Sequence, residues 1–149
     1  MMPRFFCNSP PVGNAISLFG EDAVHIGRSL RMRLGDVITV CHDKTDYSCK
    51  ILKISDEAIE LEVISQSPSP EPSVSVTLFM AVPKLDKLEL IVQKATELGA
   101  VEIVPVLTQR CVSRPEQKQF AKKRERLAKI ALEAAKQSGR GIVPTVSDI

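Results

Sequence analysis

The chain has no tryptophan, one tyrosine and five phenylalanines, so aromatics make up only 4% of its 149 residues. With 44% of residues hydrophobic, any core it builds must be aliphatic. Its four cysteines, Cys7, Cys41, Cys49 and Cys111, include no C-x-x-C pair, which argues against a zinc framework and leaves no metal site to expect. The N-terminal MMPRFFCNSPPVGN has no continuous apolar stretch of the signal-peptide kind, and no run reaches membrane-spanning length. A cytoplasmic protein with reduced thiols, and no membrane partner, is the expectation. The seven glycines are scattered, so neither a G-x-G-x-x-G loop nor a P-loop is present.

What is present is a break in composition. Ser65–Ser73, SQSPSPEPS, holds three prolines in five residues, too many for a helix or a central strand. It reads as a linker between residues 1–72 and residues 73–149. The two parts differ in charge: 7 Lys/Arg against 10 Asp/Glu before the break, 13 against 8 after it. A net +5 on the second part suits a polyanionic partner and would equally suit a solvated helix.

Residues 1–72 read as strand-rich. GDVITVCHDKTDYSCKILKI predicts a hairpin, Val37–Cys41 and Tyr47–Ile54 joined by a DKTD turn. Cys41 and Cys49 then face each other across it. AIELEVI alternates, with Ile59, Leu61 and Val63 on one side and Glu60 and Glu62 on the other. A short helix over Glu21–Leu30 precedes the hairpin. Several short strands in about seventy residues suggest a small β-barrel.

Residues 73–149 change rhythm. VSVTLFMAV is a continuous apolar run, as in a strand buried on both faces. Leu85, Leu88, Ile91, Val92, Ala95 and Leu98 recur at helical spacing, and Gly99 closes that helix. Val101–Leu107 is a second apolar strand. Ser113 and Glu116 have capping-box spacing, although Pro115 restricts Arg114 and favours a later start; a helix follows over Gln117–Gln137, whose apolar side holds Phe120, Leu127, Ala131, Ala134 and Ala135. Gly139 ends it, and Ile142–Val146 is a third strand. The order βαβαβ means a parallel sheet, with ligands expected beyond the strand C-termini, at Val82–Lys84, Thr108–Arg114 and the chain end.

Candidate chemistry follows from that placement. Cys41-His42-Asp43 alternates on a strand, so its side chains cannot converge on one centre. Arg28, Arg31 and Arg33, with Arg4, form a local positive patch of forked donors that suits phosphate oxygens or merely a solvated surface. Lys84 directly follows a strand end. Arg110 sits in the strand-end stretch TQRCVSR, where this architecture puts function. Lys122, Lys123, Arg124, Arg126, Lys129 and Lys136 make the last helix basic, either to line RNA or to keep it soluble. At its end, Gln137, Ser138 and Arg140 gather around Gly139. Arg140 is either a cation on the negative helix terminus or part of a binding edge beside the TQRCVSR loop.

Taken together, PRFF at 3–6, HIGRSLRMRLGD at 25–36, VPK at 82–84, IVQKATELGAVEIVP at 91–105, TQRCVSR at 108–114 and ERLAKIALEAAKQSGRGIVP at 125–144 resemble the RsmE family. These are 16S rRNA uracil-N3 methyltransferases of the SPOUT superfamily. The resemblance spans essentially the whole chain, in order. It implies a PUA-like β-barrel for RNA docking over 1–72, and over 73–149 the first part of a SPOUT α/β domain. It implies methyl transfer from S-adenosyl-L-methionine to N3 of a uridine in 16S rRNA of the small ribosomal subunit, by a homodimer. Arg110, Gln137 and Arg140 are the implied catalytic edge; Arg4, Arg28, Arg31, Arg33 and Lys84 are the implied RNA-binding set. Glu97 is a formal candidate for a base. The family's glycine-rich cofactor loop and knotted segment have no counterpart in these 149 residues. A fragment with most of its cofactor site outside the chain is therefore the expectation, inactive alone. A non-catalytic RNA-binding module is the alternative.

Overall fold

A computed structural model of the chain describes residues 2–55, 57–84 and 87–149. The chain divides into two compact units, Met1–Ser69 and Pro70–Ile149.

In the first unit, strands β1 (Arg4–Phe6), β2 (Ala15–Phe19), β3 (Val37–His42), β4 (Thr45–Ile54) and β5 (Ala58–Pro68) form one sheet in the order β1-β3-β4-β5-β2. β1 runs parallel to β3, and the other pairs are antiparallel. The sheet curls around a core of Phe5, Ile16, Leu18, Ile26, Ile38, Val40, Ile51, Ile59 and Leu61. Each such side chain contributes on the order of 1.5–3 kcal/mol by leaving water. The expected barrel is thus a curled sheet, with β1 and β2 at its edges among the described pairings. Between β2 and β3 lies the expected helix. It is a short α-helix, α1 (Glu21–Val24), that runs on as a π-helical turn over His25–Ser29 and buries Ala23 and Ile26.

The hairpin is tighter than the sequence suggests. Asp43 and Lys44 alone make the turn, both at positive φ (43° and 61°), and His42 pairs with Thr45. Two residues at positive φ match the twist of an antiparallel pair. That loop sets a register in which Cys41 faces Asp46 and Cys49 faces Ile38. The two cysteines are therefore not opposite each other, and none of the four is in a disulfide. The proline-rich stretch also behaves differently at its start. β5 extends to Pro68, but β2 pairs only with Ala58–Glu62. The far half of β5 is an edge there, and a proline at the end of an edge costs no ladder hydrogen bond.

In the second unit, β6 (Val76–Ala81), α2 (Lys87–Glu97), β7 (Ala100–Val106), α3 (Gln117–Ser138) and β8 (Thr145–Val146) follow one another. The sheet order is β6-β7-β8, all parallel. The predicted βαβαβ order holds, although the third strand is only two residues long. Leu85, assigned above to the first helix, lies outside the described residues. Leu88 and Val92 of α2, Ile103 of β7, and Phe120, Leu127 and Ala131 of α3 share one core. All the apolar positions expected on the last helix are buried. It starts at Gln117 as expected, and Glu116 is its N-cap, in extended conformation without a side-chain cap bond. The Ser113 capping box does not form, because Ser113 lies outside the helix.

The first strand departs most from expectation. β6 is an edge strand, and Val76 and Phe79 are 50% and 69% exposed. A continuous apolar run suggests burial on both faces, yet strand order is a nonlocal property that the run does not encode. Gly99 does close α2, at φ 105°, and a Cβ there would stand 2.8 Å from Pro72 Cγ.

Candidate active site

The C-terminal ends of β6 and β7 lie side by side, since Ala81 pairs with Val106 and the Val82 N–H donates to the Val106 carbonyl. Two expected site residues emerge from this edge, Lys84 just after β6 and Arg110 just after β7, and both side chains are exposed. The Arg110 loop is braced from within. Arg114 donates from Nη2 to the carbonyls of Thr108 (2.7 Å) and Gln109 (3.2 Å), and from Nε to that of Cys111 (3.3 Å). The Thr108 N–H donates to Cys111 Sγ at 3.3 Å, and Thr108 Oγ1 lies 3.3 Å from the same sulfur. Hydrogen bonds from Thr108, aided by the Arg114 charge, hold the Cys111 thiol below its ordinary pKa. Cys111 and Arg114 thus fold TQRCVSR on itself and leave Arg110 at its tip. Position alone singled out Arg110; the two bracing residues were missed, although both lie in the same seven-residue motif.

Gln137 and Arg140 do not join that edge. α3 leaves the C-terminal end of β7 and carries the chain back to where β8 begins. Arg140 Nη1 accordingly donates to the carbonyl of Ala100, the first residue of β7, at 3.1 Å, and to that of Thr96 at 2.7 Å. The length of β7, roughly 20 Å at about 3.3 Å per residue, separates this end from Arg110. The expected convergence of Gln137, Ser138 and Arg140 with the TQRCVSR loop is therefore corrected: a crossover helix in a parallel sheet delivers its C-terminus to the opposite edge. Glu97 lies at that same far edge, bonded to Lys94 at 2.7 Å and to Gln93 at 3.0 Å.

Arg140 is 4% exposed. Its Nη2 reaches Glu71 Oε2 at 2.8 Å, and its Nε lies 2.9 and 3.0 Å from the two carboxylate oxygens. Glu71 Oε1 also accepts the N–H groups of Gly141 (2.6 Å) and Ile142 (3.1 Å). Burial raises the Glu71 pKa, but the bonds from Arg140, Gly141 and Ile142 outweigh it and hold the carboxyl below its usual range. Glu71 had read as a linker residue. Nothing in its spacing signals a partner near the chain end. Gln137 is exposed one turn earlier, on the rim of a cavity of about 320 Å³ between α2 and α3, with Gln93, Ile130 and Ala134.

In the first unit, Arg28, Arg31 and Arg33 are exposed on the π-helical turn and the loop that leads into β3. Arg31 takes a positive φ of 52°, and the Arg33 N–H is fixed by Asp36 at 2.7 Å. Arg4 is not part of this patch. Its side chain is 8% exposed, with Nη1 2.8 Å and Nη2 2.5 Å from the Asp46 carboxylate, and Ser69 donates to the same carboxylate. Burial raises the Asp46 pKa, and the bonds from Arg4 and Ser69 pull it to below its ordinary value. A guanidinium so engaged is a structural ion pair rather than a free phosphate donor. Cys41-His42-Asp43 forms no centre either: His42 Nδ1 lies 3.0 Å from the Cys7 carbonyl and Cys41 Sγ 3.4 Å from Ser69.

Among the described residues no cluster of His, Cys, Asp or Glu has metal-binding geometry, and no helix is long and apolar enough to cross a membrane. The described glycines also form no cradle at the edge that carries Lys84 and Arg110. Gly99 and Gly139 each close a helix at the other edge.

The RNA methyltransferase domain family matches residues 69–149, and the RNA methyltransferase PUA domain family matches residues 19–64. Ribosomal RNA small subunit methyltransferase E of Bacillus subtilis (strain 168) is 40% identical over 135 residues, covering 89% of this chain and 53% of that protein. Its namesake from Aquifex aeolicus is 30% identical over 131 residues, covering 87% and 56%. The crystal structure of ribosomal RNA small subunit methyltransferase E from Neisseria gonorrhoeae bound to S-adenosyl methionine superposes at a TM-score of 0.86, with 28% identity, over 100% of this chain and 62% of that one. The chain spans about half the length of the curated relatives it matches.

Proposed function

Because this chain belongs to the RNA methyltransferase family that includes ribosomal RNA small subunit methyltransferase E, we propose that it serves methyl transfer from S-adenosyl-L-methionine to N3 of a uridine in 16S rRNA of the small ribosomal subunit. The proposed setting is a cytoplasmic homodimer. The observation that carries the reading is the pairing of Lys84 and Arg110 at the C-terminal edge of the parallel sheet, where ligands of such sheets bind.

The chemistry asks little of the protein beyond charge and position. N3 of uracil is nucleophilic only once its proton has passed to solvent water, since Glu97 lies at the far edge, and the negative charge then spreads onto the flanking carbonyl oxygens. Arg110, held at its loop tip by Cys111 and Arg114, supplies forked donors for that charge. Lys84 anchors the neighbouring phosphate, and Arg28, Arg31 and Arg33 dock RNA on the first unit. Gln137 and Arg140 serve by shaping the far edge, with Arg140 as a positioning residue. When bound, S-adenosyl-L-methionine supplies an electrophilic methyl group. The residues described here do not by themselves fit that cofactor, so no step is assigned to its contacts.

The test is methylation of small ribosomal subunits, followed by mass spectrometry of the nucleosides. The protein would be assayed as this chain and as this chain extended by the C-terminal half of the Bacillus subtilis relative. N3-methyluridine in either case supports the reading; methyl groups on another atom only, or none in both, would remove it. A second reading, a non-catalytic RNA-binding module, draws on the lack of a cofactor cradle among the described glycines. It requires RNA binding by this chain with no methylation in either assay.

A further inference from the structure

The excess charge of the second half of the chain sits on one helix. Residues 73–149 carry 13 Lys/Arg and 8 Asp/Glu, while Gln117–Ser138 alone carries seven cations and two glutamates. Both differences are +5, so the remainder of that half is neutral. The contrast with α2 is direct: its Lys87, Glu89, Lys94 and Glu97 balance, and Lys94 pairs with Glu97 at 2.7 Å. On α3, Arg126 reaches Glu89, Lys136 reaches Glu133, and Arg124 lies 3.8 Å from Asp148. No described carboxylate lies within salt-bridge distance of Lys118, Lys122 or Lys129, and all three are exposed.

These three lysines are aligned. At about 100° per residue they fall within roughly 40° of one another, directly opposite buried Phe120, Leu127 and Ala131. The stripe runs roughly 16 Å along the helix at about 1.5 Å per residue, which spans several phosphates rather than one anion. Local stability does not explain it. The first turn of α3 has no acidic residue and contains Lys118, although the positive end of a helix disfavours cations.

We propose that the Lys118–Lys122–Lys129 stripe of α3 is a docking surface for the phosphate backbone of an RNA helix. It would act in addition to the arginines of the first unit. The inference rests on the RNA reading above and assigns it a second contact area. A stripe of point charges without aromatic neighbours reads backbone and not sequence.

The test uses the whole 149-residue chain and a fluorescently labelled RNA hairpin of about 16 base pairs, titrated from about 50 to about 200 mM salt. In the triple variant K118Q/K122Q/K129Q, the log–log salt slope becomes shallower by about 2–3, at roughly 0.7–0.9 per lost phosphate contact, and affinity falls at least roughly tenfold at the low-salt end. Replacement of the same lysines by arginine keeps the slope. Helix propensity is nearly equal for Lys and Gln, so the thermal midpoint of the triple variant is not lowered. Wild-type binding with an unchanged slope in the lysine variant, and a loss only in R28Q/R31Q/R33Q, overturns the proposal while the RNA reading stands. No hairpin binding by the wild type at low salt overturns both. Competition by phosphatidylserine vesicles as strong as by unlabelled hairpin overturns it in favour of a membrane surface.

Discussion

Arg140 and Glu71, separated by 69 positions in sequence, form a near-buried ion pair whose guanidinium and carboxylate meet at 2.8 Å. The pair joins the segment ahead of β6 to the turn after α3, and it also bonds backbone: the carbonyls of Thr96 and Ala100 and the N–H groups of Gly141 and Ile142. Removal of one partner leaves the other charged and desolvated. Glu71→Ala or Arg140→Ala is expected to destabilise the second unit by roughly 3–5 kcal/mol, measured as a shift of its urea midpoint. A loss below about 1 kcal/mol would show that the pair contributes no more than a surface contact.

Of the three depressed carboxyls, Asp46, Glu71 and Glu97, acid should act chiefly through the two that are more buried, Asp46 and Glu71. A carboxyl whose folded pKa lies below its unfolded value adds stability above the unfolded value, near 4, and loses it as pH falls through the folded value. Urea midpoints are therefore expected to hold between about pH 7 and pH 5 and to decline below that. Asp46→Asn should flatten the acid limb of the first unit, and Glu71→Gln that of the second. An acid limb unchanged by both substitutions would assign it to other groups.

Arg110 is exposed and bonded to nothing that holds the fold among the described residues. Arg110→Ala should leave stability within about 0.5 kcal/mol and lower methyl transfer by about 10²–10³-fold in the extended protein. Full activity of the variant would take Arg110 out of the site. Arg114→Ala should lower both activity and loop order, because it releases the carbonyls of Thr108, Gln109 and Cys111.

Gly99→Ala combines two penalties, a positive φ of 105° and a Cβ placed 2.8 Å from Pro72 Cγ. A loss of about 1–3 kcal/mol is expected. Pro72→Ala in the same background should recover the steric part alone. Full recovery would mean that the backbone conformation carries no strain.

Lys44 occupies the second positive-φ position of the β3–β4 turn, at 61°. Lys44→Gly places there the residue that such turns prefer, and should raise the thermal midpoint of the first unit by the equivalent of about 0.5–1 kcal/mol. A lower midpoint would mean that the lysine side chain packs on the hairpin.

Local rhythm was legible in the sequence, and long-range partnership was not. The buried stripe Phe120, Leu127, Ala131, Ala134 and Ala135 follows from 3.6-residue spacing, as the alternation of Ile59 and Leu61 follows from the pleat. The exposure of Phe79 depends on β6 lying at a sheet edge, which its own residues do not encode. Cys41 faces Asp46 rather than Cys49 because the turn at Asp43 and Lys44, not the residues of the strands, sets the register. Arg4 and Arg140 read as available cations, yet each is held by a carboxylate at least 42 positions away. Of the candidate site, Lys84 and Arg110 were legible from strand direction. The same reasoning carried one step further, along α3, separates them from Gln137.

Strand β6 has a practical consequence. It offers one row of backbone donors and acceptors with no ladder partner among the described residues, beside the exposed side chains of Val76 and Phe79. A twisted parallel edge of this composition is a template on which other chains can add strands. Concentrated samples are expected to scatter light increasingly with time and to bind apolar dyes. A lysine at position 79 should keep them clearer, which ties the colloidal behaviour of the chain to this one edge.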